Sequence, residues 1–115
     1  MSECIFCNKL VRQHKILENE LAFVIFDKYP KEKGHALIIP KRHVENLFDM
    51  TPEEWAATHD LLLKTKARLD KDHKPDGYNV VSNIGRAAGQ EIFHAHVHLI
   101  PRYAAAEDYT TRHLL

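Results

Sequence analysis

The sequence predicts an α+β domain: an antiparallel sheet with one long helix packed on it. Two observations lead to this expectation. A helix start with capping residues is followed by a long stretch of helical periodicity, and short apolar segments separated by turn residues lie on both sides of it. Because the chain has 115 residues and no internal repeat, we expect residues 1–115 to form a single domain.

Four segments have the composition of strands. They are ELAFVIFD at 20–27, HALIIP at 35–40, GYNVVSNI at 77–84 and EIFHAHVHLIP at 91–101. The nearly continuous apolar run at 35–40 is typical of a strand that is covered on both faces. The loop GRAAGQ separates the last two segments, which are therefore predicted to pair as antiparallel neighbours.

The helix is predicted to begin at TPEEW, residues 51–55. Thr51 can cap the helix, Pro52 suits its first position, and Glu54 can complete a capping box. The residues expected to share the core-facing side at helical spacing are Trp55, His59, Leu62 and Leu69, with Ala56 and Leu63 beside them. The helix is expected to end near residue 72, before DHKPDG.

Composition and charge exclude several classes of function. Lys plus Arg and Asp plus Glu both number 16, so the formal net charge is zero and broad electrostatic binding of nucleic acid or an anionic membrane is not expected. The longest apolar run, LAFVIF at 21–26, is far too short to span a membrane. The N-terminal residues lack the apolar stretch of a signal peptide, and we therefore expect a cytoplasmic protein.

The most unusual motif is HAHVHLI at 94–100, in a chain that has 9 histidines. Side chains of a strand alternate between its two faces, so the three histidines of the motif should lie in a row. That row comprises His94, His96 and His98, and the opposite, apolar face comprises Phe93, Ala95, Val97 and Leu99. Three imidazoles backed by an apolar face indicate a cleft that handles phosphate or metal.

Two kinds of chemistry are compatible with this row. H-x-H pairs bind catalytic metals in amidohydrolase barrels, which need about 250 residues. H-x-H pairs also bind catalytic metals in cupins, which are small enough for this chain. Cupins, however, have a further glutamate ligand soon after the pair, and here Glu107 lies beyond the predicted strand. Alternatively, one imidazole is a nucleophile toward phosphorus, because an ordinary histidine pKa of about 6.5 leaves it mostly unprotonated at neutral pH.

Cys4 and Cys7 form a C-x-x-C pair, which in a reducing compartment suggests metal binding or redox chemistry. A thioredoxin-like motif normally follows a strand and opens a helix, whereas this pair begins four residues into the chain. The spacing alone leaves metal binding, redox chemistry and unused thiols as alternatives.

Four stretches together resemble the histidine triad (HIT) superfamily. HAHVHLI fits its alternating histidine pattern, GHALIIPKRH at 34–43 and NIGRAAGQEIFHAHVHLIPR at 83–102 resemble its two signatures, and CIFCNKL at 4–10 resembles its frequent N-terminus. The resemblance covers most of residues 4–103. It implies a nucleotide-binding hydrolase or transferase that cleaves a bond at the α-phosphate of a nucleoside phosphoramidate or dinucleoside polyphosphate. The reaction would pass through a covalent nucleotidyl-histidine.

The resemblance also implies a role for individual residues. His96 would be the nucleophile, His98 would hold the phosphate oxygens, and His35 would lie next to His98. The implied substrate-binding residues are Asn83, Gly89 and Gln90 around the phosphate and leaving group, Asp27 at the ribose, and Phe6 and Ile25 at the base. Glu91 departs from the better-known branches, which often carry Ser or Thr there, and this leaves the leaving-group preference open.

A structural zinc and a homodimer are further implications of the resemblance. Cys4, Cys7, His43 and His94 match the ligands of a zinc-binding branch. Two thiolates and two neutral imidazoles would close a tetrahedral site, so the zinc would be structural. Because His96 would be the nucleophile, no catalytic metal would be required. We also expect a nucleotide substrate with a purine base, and a homodimer joined through the long helix and a sheet edge. The alternatives are a zinc-stabilised nucleotide-binding or scaffolding module with little turnover, and a metal-dependent hydrolase.

Overall fold

The computed structural model describes residues 4–103, so Glu107 and the rest of the C-terminal segment lie outside the described residues. Within these residues the α-helices are α1 (Lys9–Arg12) and α2 (Pro52–His73), and short 3-10 helices span Ile5–Cys7, Leu47–Asp49 and Arg86–Ala88. The strands are β1 (Leu17–Glu18), β2 (Ala22–Phe26), β3 (Ala36–Pro40), β4 (Gly77–Val81) and β5 (Val97–Arg102). No helix within 4–103 is long and apolar enough to cross a membrane.

The five strands form one antiparallel sheet in the order β1-β2-β3-β5-β4, and α2 packs against β2 and β3. This architecture confirms the predicted α+β class. The central strand β3 is buried along its whole length, as expected for a continuous apolar run.

Alternate residues of the central strands supply two separate cores. On one face, Val24 and Ile38 pack with Leu61 and Leu69 of α2. On the other face, the cluster comprises Phe23, Ile25, Leu37 and Ile39, covered by Phe6 from the N-terminal segment. The sheet therefore places the N-terminal residues and α2 on opposite sides.

Helix α2 begins as predicted, and its core-facing side matches the predicted one only at Leu69 and Leu62. Thr51 and Glu54 form the expected capping box. The residues buried on α2 are Glu54, Thr58, Leu61, Thr65 and Leu69, whereas Trp55 is 43% exposed and Leu63 is 54% exposed. The hydroxyls of Thr58 and Thr65 donate to the carbonyls of Glu54 and Leu61, and these bonds satisfy the threonines inside the core.

Strand β5 begins at Val97, later than the predicted residue 91. Its ladder with β3 starts at the Val97–Ile38 pair, close to Pro40, which has no N–H to continue a ladder. Upstream, the Ala95 N–H donates to the Val44 carbonyl at 2.8 Å and the Ser82 hydroxyl donates to the His96 carbonyl at 2.7 Å. His94 and His96 therefore lie in an irregular segment ahead of the strand.

Candidate functional site

His96 presents one unprotonated ring nitrogen. Its Nδ1 lies 2.7 Å from the His94 carbonyl, which can only accept a hydrogen bond, so Nδ1 carries the proton and Nε2 keeps its lone pair. The ring of Phe6 packs edge-on against the His96 ring, and the two ring centroids lie 5.0 Å apart. Burial lowers the pKa of His96, which keeps the imidazole neutral at pH 7.

His35 and His98 form a pair whose tautomers follow from one backbone donor. The Lys31 N–H donates to His35 Nδ1 at 3.1 Å, so neutral His35 carries its proton on Nε2. That Nε2 donates to His98 Nδ1 at 2.9 Å, which leaves the His98 proton on Nε2. Burial lowers the pKa of His35 and lowers that of His98 to about 4, so both rings are neutral at pH 7. His98 thus offers an N–H donor.

Asp27 lies beside this pair. Its Oδ2 is 3.3 Å from His35 Nε2 and 4.0 Å from His98 Nδ1, and the three ligand-type atoms are spaced as in a two-histidine, one-carboxylate metal site. A metal on His35 Nε2 would require the proton to move to Nδ1, where it would oppose the Lys31 N–H. The backbone donor therefore favours the hydrogen-bonded pair over a metal site.

Two cavities meet at His96 and His98. The larger, of about 650 Å³, is mostly apolar and is lined by Phe6, Ile25 and Leu37 among others; we call it the apolar lobe. The smaller, of about 350 Å³, is the polar lobe, whose lining includes Lys31, His35, Asn83, Gly89, Gln90 and Glu91. Asp27 lines both lobes. The structure thus gathers every residue that the sequence assigned to substrate or catalysis around one cleft.

Gln90 lines the polar lobe, but the protein itself uses its amide. Its Nε2 donates to the carbonyls of Glu45 and Ile92 at 2.7 and 3.1 Å, and its Oε1 accepts from the Gly85 N–H at 2.8 Å. Both of its side-chain N–H groups are therefore engaged, and Gln90 holds the loop closed. Gly89 precedes it with φ at 92°, a left-handed conformation that favours glycine.

A second cluster comprises Cys4, Cys7, His43 and His94, none of which lines either lobe. Their ligand atoms all lie within 4.8 Å of one another. His94 Nδ1 is 3.2 Å from both Cys4 Sγ and His43 Nδ1, and Cys7 Sγ is 3.5 Å from His43 Nδ1. Bonds of about 2.0–2.3 Å in a tetrahedral zinc site place ligand atoms at such separations, so these residues fit a zinc ion.

The orientation of His94 suits a ligand. The ring is fully buried, and its Nε2 donates to the Pro40 carbonyl at 2.7 Å. This bond leaves the Nδ1 lone pair facing the thiols, as a carbonyl partner does for zinc-bound histidines generally. Burial also lowers the pKa of His94 to about 4, which keeps that lone pair free.

The sequence model of the HIT domain matches residues 8–105. The chain belongs to the HIT family. Over 103 residues, this HIT protein is 41% identical to the adenosine 5'-monophosphoramidase HNT1 of Saccharomyces cerevisiae, across 86% of this chain and 62% of the yeast protein.

Solved HIT structures share the fold. A hypothetical histidine triad nucleotide-binding protein of Sulfolobus tokodaii superposes with a TM-score of 0.82 at 37% identity, covering 89% of this chain and 70% of that one. A zinc-bound histidine triad family protein of Mycobacterium smegmatis gives a TM-score of 0.79 at 33% identity, covering 90% of this chain and 78% of that one.

Sequence reasoning missed two side chains that support the site of this HIT protein. Arg12 donates to the carbonyls of Phe6 and Lys41 at 2.8 and 2.6 Å, and so ties the N-terminal segment to the chain beside His43. Ser82 holds the His96 carbonyl. Both side chains donate hydrogen bonds to backbone carbonyls. Because every residue type has a carbonyl, no motif or spacing in the sequence indicates which residues form these bonds.

Proposed function

We propose that this HIT protein cleaves a bond at the α-phosphate of a nucleotide conjugate, with nucleoside phosphoramidates as the substrate class, and uses His96 as the nucleophile. The observation that carries the proposal is the neutral Nε2 of His96, held ready by the His94 carbonyl where the two lobes meet. The phosphoramidase activity named for the yeast relative supports the choice of substrate class.

The two lobes divide the substrate between them. The apolar lobe takes the nucleoside, with the base against Phe6 and Ile25, and its volume of about 650 Å³ has room for a purine. Asp27 lies where both lobes meet and accepts the ribose hydroxyls, since a carboxylate offers two acceptor oxygens to a vicinal diol. The polar lobe takes the leaving group.

In the first step the lone pair of His96 Nε2 attacks the α-phosphorus. The N–P bond forms as the bond to the leaving nitrogen breaks, and that nitrogen departs with a proton taken from solvent. The ring becomes a cation, so its Nδ1–H bond to the His94 carbonyl is charge-assisted and stronger than in the free protein. The Nε2–H of His98 donates to a phosphate oxygen as negative charge builds there.

In the second step water attacks the same phosphorus. The N–P bond breaks, its electron pair returns to His96 Nε2, and the water proton passes to solvent. The products are the free amine and the nucleoside monophosphate, and the histidine is regenerated. Splitting the displacement in this way lets one imidazole act first as nucleophile and then as leaving group.

A structural zinc belongs to this proposal. Cys4, Cys7, His43 and His94 would hold it in a closed tetrahedral site with no position for a catalytic water. The ion would join the N-terminal segment to the residue two positions before the nucleophile. The zinc-bound histidine triad protein of Mycobacterium smegmatis, which shares the fold, supports this assignment.

A homodimer is also proposed. Strand β4 is an edge of the sheet, and its Val80 is 55% exposed. Trp55 and Leu63 on α2 are exposed large apolar residues as well. A second copy that covers the helix and extends the sheet at β4 would bury them. Light scattering of the wild type and of Leu63→Glu tests this, with the dimer mass expected only for the wild type.

The decisive experiment for the activity is AMP release from adenosine 5'-phosphoramidate in buffer without added metal. Wild type should turn over, and His96→Ala should lose about 10⁴-fold in kcat. His59→Ala, which removes an exposed histidine far from the cleft, is the control.

Other outcomes would favour the alternatives. A wild type that is inert but binds AMP would be a binding or scaffolding module. Activity that appears only with added metal would be that of a metal-dependent hydrolase.

A further inference from the structure

Glu91 is a charged residue of the polar lobe for which the chemistry above has no use. Its side chain is exposed and lines the lobe together with Asn83 and His96. Within residues 4–103 its carboxylate makes no hydrogen bond or ion pair. Its negative charge is therefore not neutralised by a partner in this part of the chain. At the place where a leaving group departs, such a charge attracts a cationic group and repels an anionic one.

The backbone on both sides of Glu91 is anchored. Gln90 is 4% exposed and held by three hydrogen bonds, and Ile92 packs against the apolar cluster around Phe6. The carboxylate of Glu91 is therefore attached to a fixed segment beside the lobe that the residue lines.

Lys31 is the other formal charge that belongs to the polar lobe alone. It is exposed and has a long, flexible stem, and its charge is near enough to contribute to the lowered pKa of His35 and His98. Asp27, at the junction of the lobes, adds a second carboxylate. Two carboxylates therefore line the lobe against one ammonium group, so the sum of the formal charges is negative.

We propose that Glu91 makes the polar lobe select leaving groups that carry positive charge and disfavour those that carry negative charge. This inference rests on the proposed function, because it assumes that the polar lobe receives the leaving group. It places amines with a further cationic group above neutral amines, and both above amines with a carboxylate or leaving groups such as a polyphosphate.

Three AMP phosphoramidates isolate the charge from the chemistry. Their amines are 1,3-diaminopropane, propylamine and β-alanine, which leave a cationic, neutral or anionic chain in the polar lobe. In each, the His96 N–P bond forms as the same kind of P–N bond breaks, and the nitrogen leaves as the amine with a proton from solvent. The quantity to compare is the ratio of kcat/KM for the cationic and anionic substrates.

The wild type should favour the cationic substrate by about tenfold or more, and Glu91→Gln should reduce this ratio by on the order of tenfold. Glu91→Asp keeps the charge and should keep most of the ratio. Glu53→Gln removes an exposed carboxylate that lines neither lobe and should leave the ratio unchanged. Because the effect is electrostatic and partly exposed to solvent, the wild-type ratio should also fall in high salt.

An equal or inverted ratio in the wild type would overturn the inference, as would a ratio that Glu91→Gln leaves intact or that Glu53→Gln changes equally. Failure of the proposed function is a separate result, since it would appear as no turnover of even the neutral substrate. The inference is then decided by binding. Calorimetry measures Kd for the cationic and the anionic substrate with His96→Ala and with the double variant that also carries Glu91→Gln. The preference for the cationic substrate should be present in the single variant and lost in the double variant. Equal Kd ratios in the two proteins would overturn it.

Discussion

His35 Nε2 donates a hydrogen bond of 2.9 Å to His98 Nδ1. The direction of this bond is set outside the pair, by the Lys31 N–H that occupies His35 Nδ1. One backbone amide on a turn thus decides that His98 carries its proton on Nε2. In the proposed mechanism His35 would be a positioning residue, because it would act on the substrate only through His98.

Replacing His35 tests this relationship. His35→Leu removes the donor to His98 Nδ1, so the His98 tautomer is no longer set, and we expect kcat to fall about 10- to 100-fold, as when partners that orient a ligating histidine are removed. His35→Gln offers a side-chain N–H to the same acceptor and should recover a large part of the loss. Steady-state kinetics on adenosine 5'-phosphoramidate gives kcat and KM separately, and KM should change little. Equal kcat for both variants at equal melting temperature would contradict the positioning role.

The pH dependence of kcat/KM should reflect neutral histidines that resist protonation. Burial, followed by the neighbouring His96 and His35, lowers the pKa of His98 to about 4; Lys31 acts in the same direction and Asp27 against it. His98 Nδ1 therefore remains unprotonated, and can accept the hydrogen bond from His35, until the pH falls toward about 4. Burial also lowers the pKa of the nucleophile His96, so we expect kcat/KM to begin to fall only below about pH 6.5, where an ordinary histidine titrates.

A profile that halves near pH 6.5 would contradict this expectation. The control is reversibility, because zinc ligands also protonate in acid. Protein held at the lowest pH and assayed at pH 7 should recover its full rate.

Zinc content should follow the four-residue cluster. The purified protein is expected to hold one zinc per chain, and Cys4→Ser should lose it with a fall in melting temperature of about 10 °C, since metal binding contributes directly to folding. Metal analysis and calorimetric melting measure the two effects. His59→Asn removes an exposed histidine outside the cluster and should keep the zinc. Full zinc in Cys4→Ser would exclude the proposed ligand set.

Glu54 should stabilise the fold in a pH-dependent manner. Its carboxylate is 4% exposed, accepts two hydrogen bonds from Arg42 at 2.9 and 2.8 Å, and accepts one from the Thr51 N–H at 2.9 Å. The hydrogen bonds from Arg42 are the main reason that the pKa of Glu54 lies below its ordinary value. The stabilisation is therefore present above the unfolded-state pKa and is lost as the pH falls through the folded-state pKa.

We expect Glu54→Gln to lower the free energy of unfolding by about 1–2 kcal/mol at pH 7, a typical value for hydrogen bonds to a charged group that solvent partly screens. The loss should shrink as the pH falls below the ordinary glutamate pKa of about 4.3. Urea denaturation of this variant beside Glu53→Gln, the exposed neighbour, measures it. Equal stability of the two variants at pH 7 would contradict the prediction.

The helix and the last strand show where local sequence sufficed for prediction and where it did not. The capping box at Thr51 depends on residues three positions apart, so the start of α2 was predicted correctly. The buried face of the same helix was predicted only in part: Leu69 and Leu62 pack in or against the core, whereas Trp55 and Leu63 are exposed. Thr58 and Thr65 take buried positions because their hydroxyls bond to the preceding turn. The alternation in HAHVHLI predicted the histidine row, but not that the ladder begins only at Val97.

The sequence by itself determined the fold class, the family and the residue types at the cleft, because these depend on periodicity and on motifs of neighbouring residues. Only the tertiary structure decided which nitrogen of each imidazole is free. The tautomer of His96 depends on a carbonyl two residues away, that of His94 on Pro40, and those of His35 and His98 on the Lys31 amide. Each of these partners is a backbone N–H or C=O group. Such groups occur at nearly every position of a sequence, and only folding determines which side chain each of them meets.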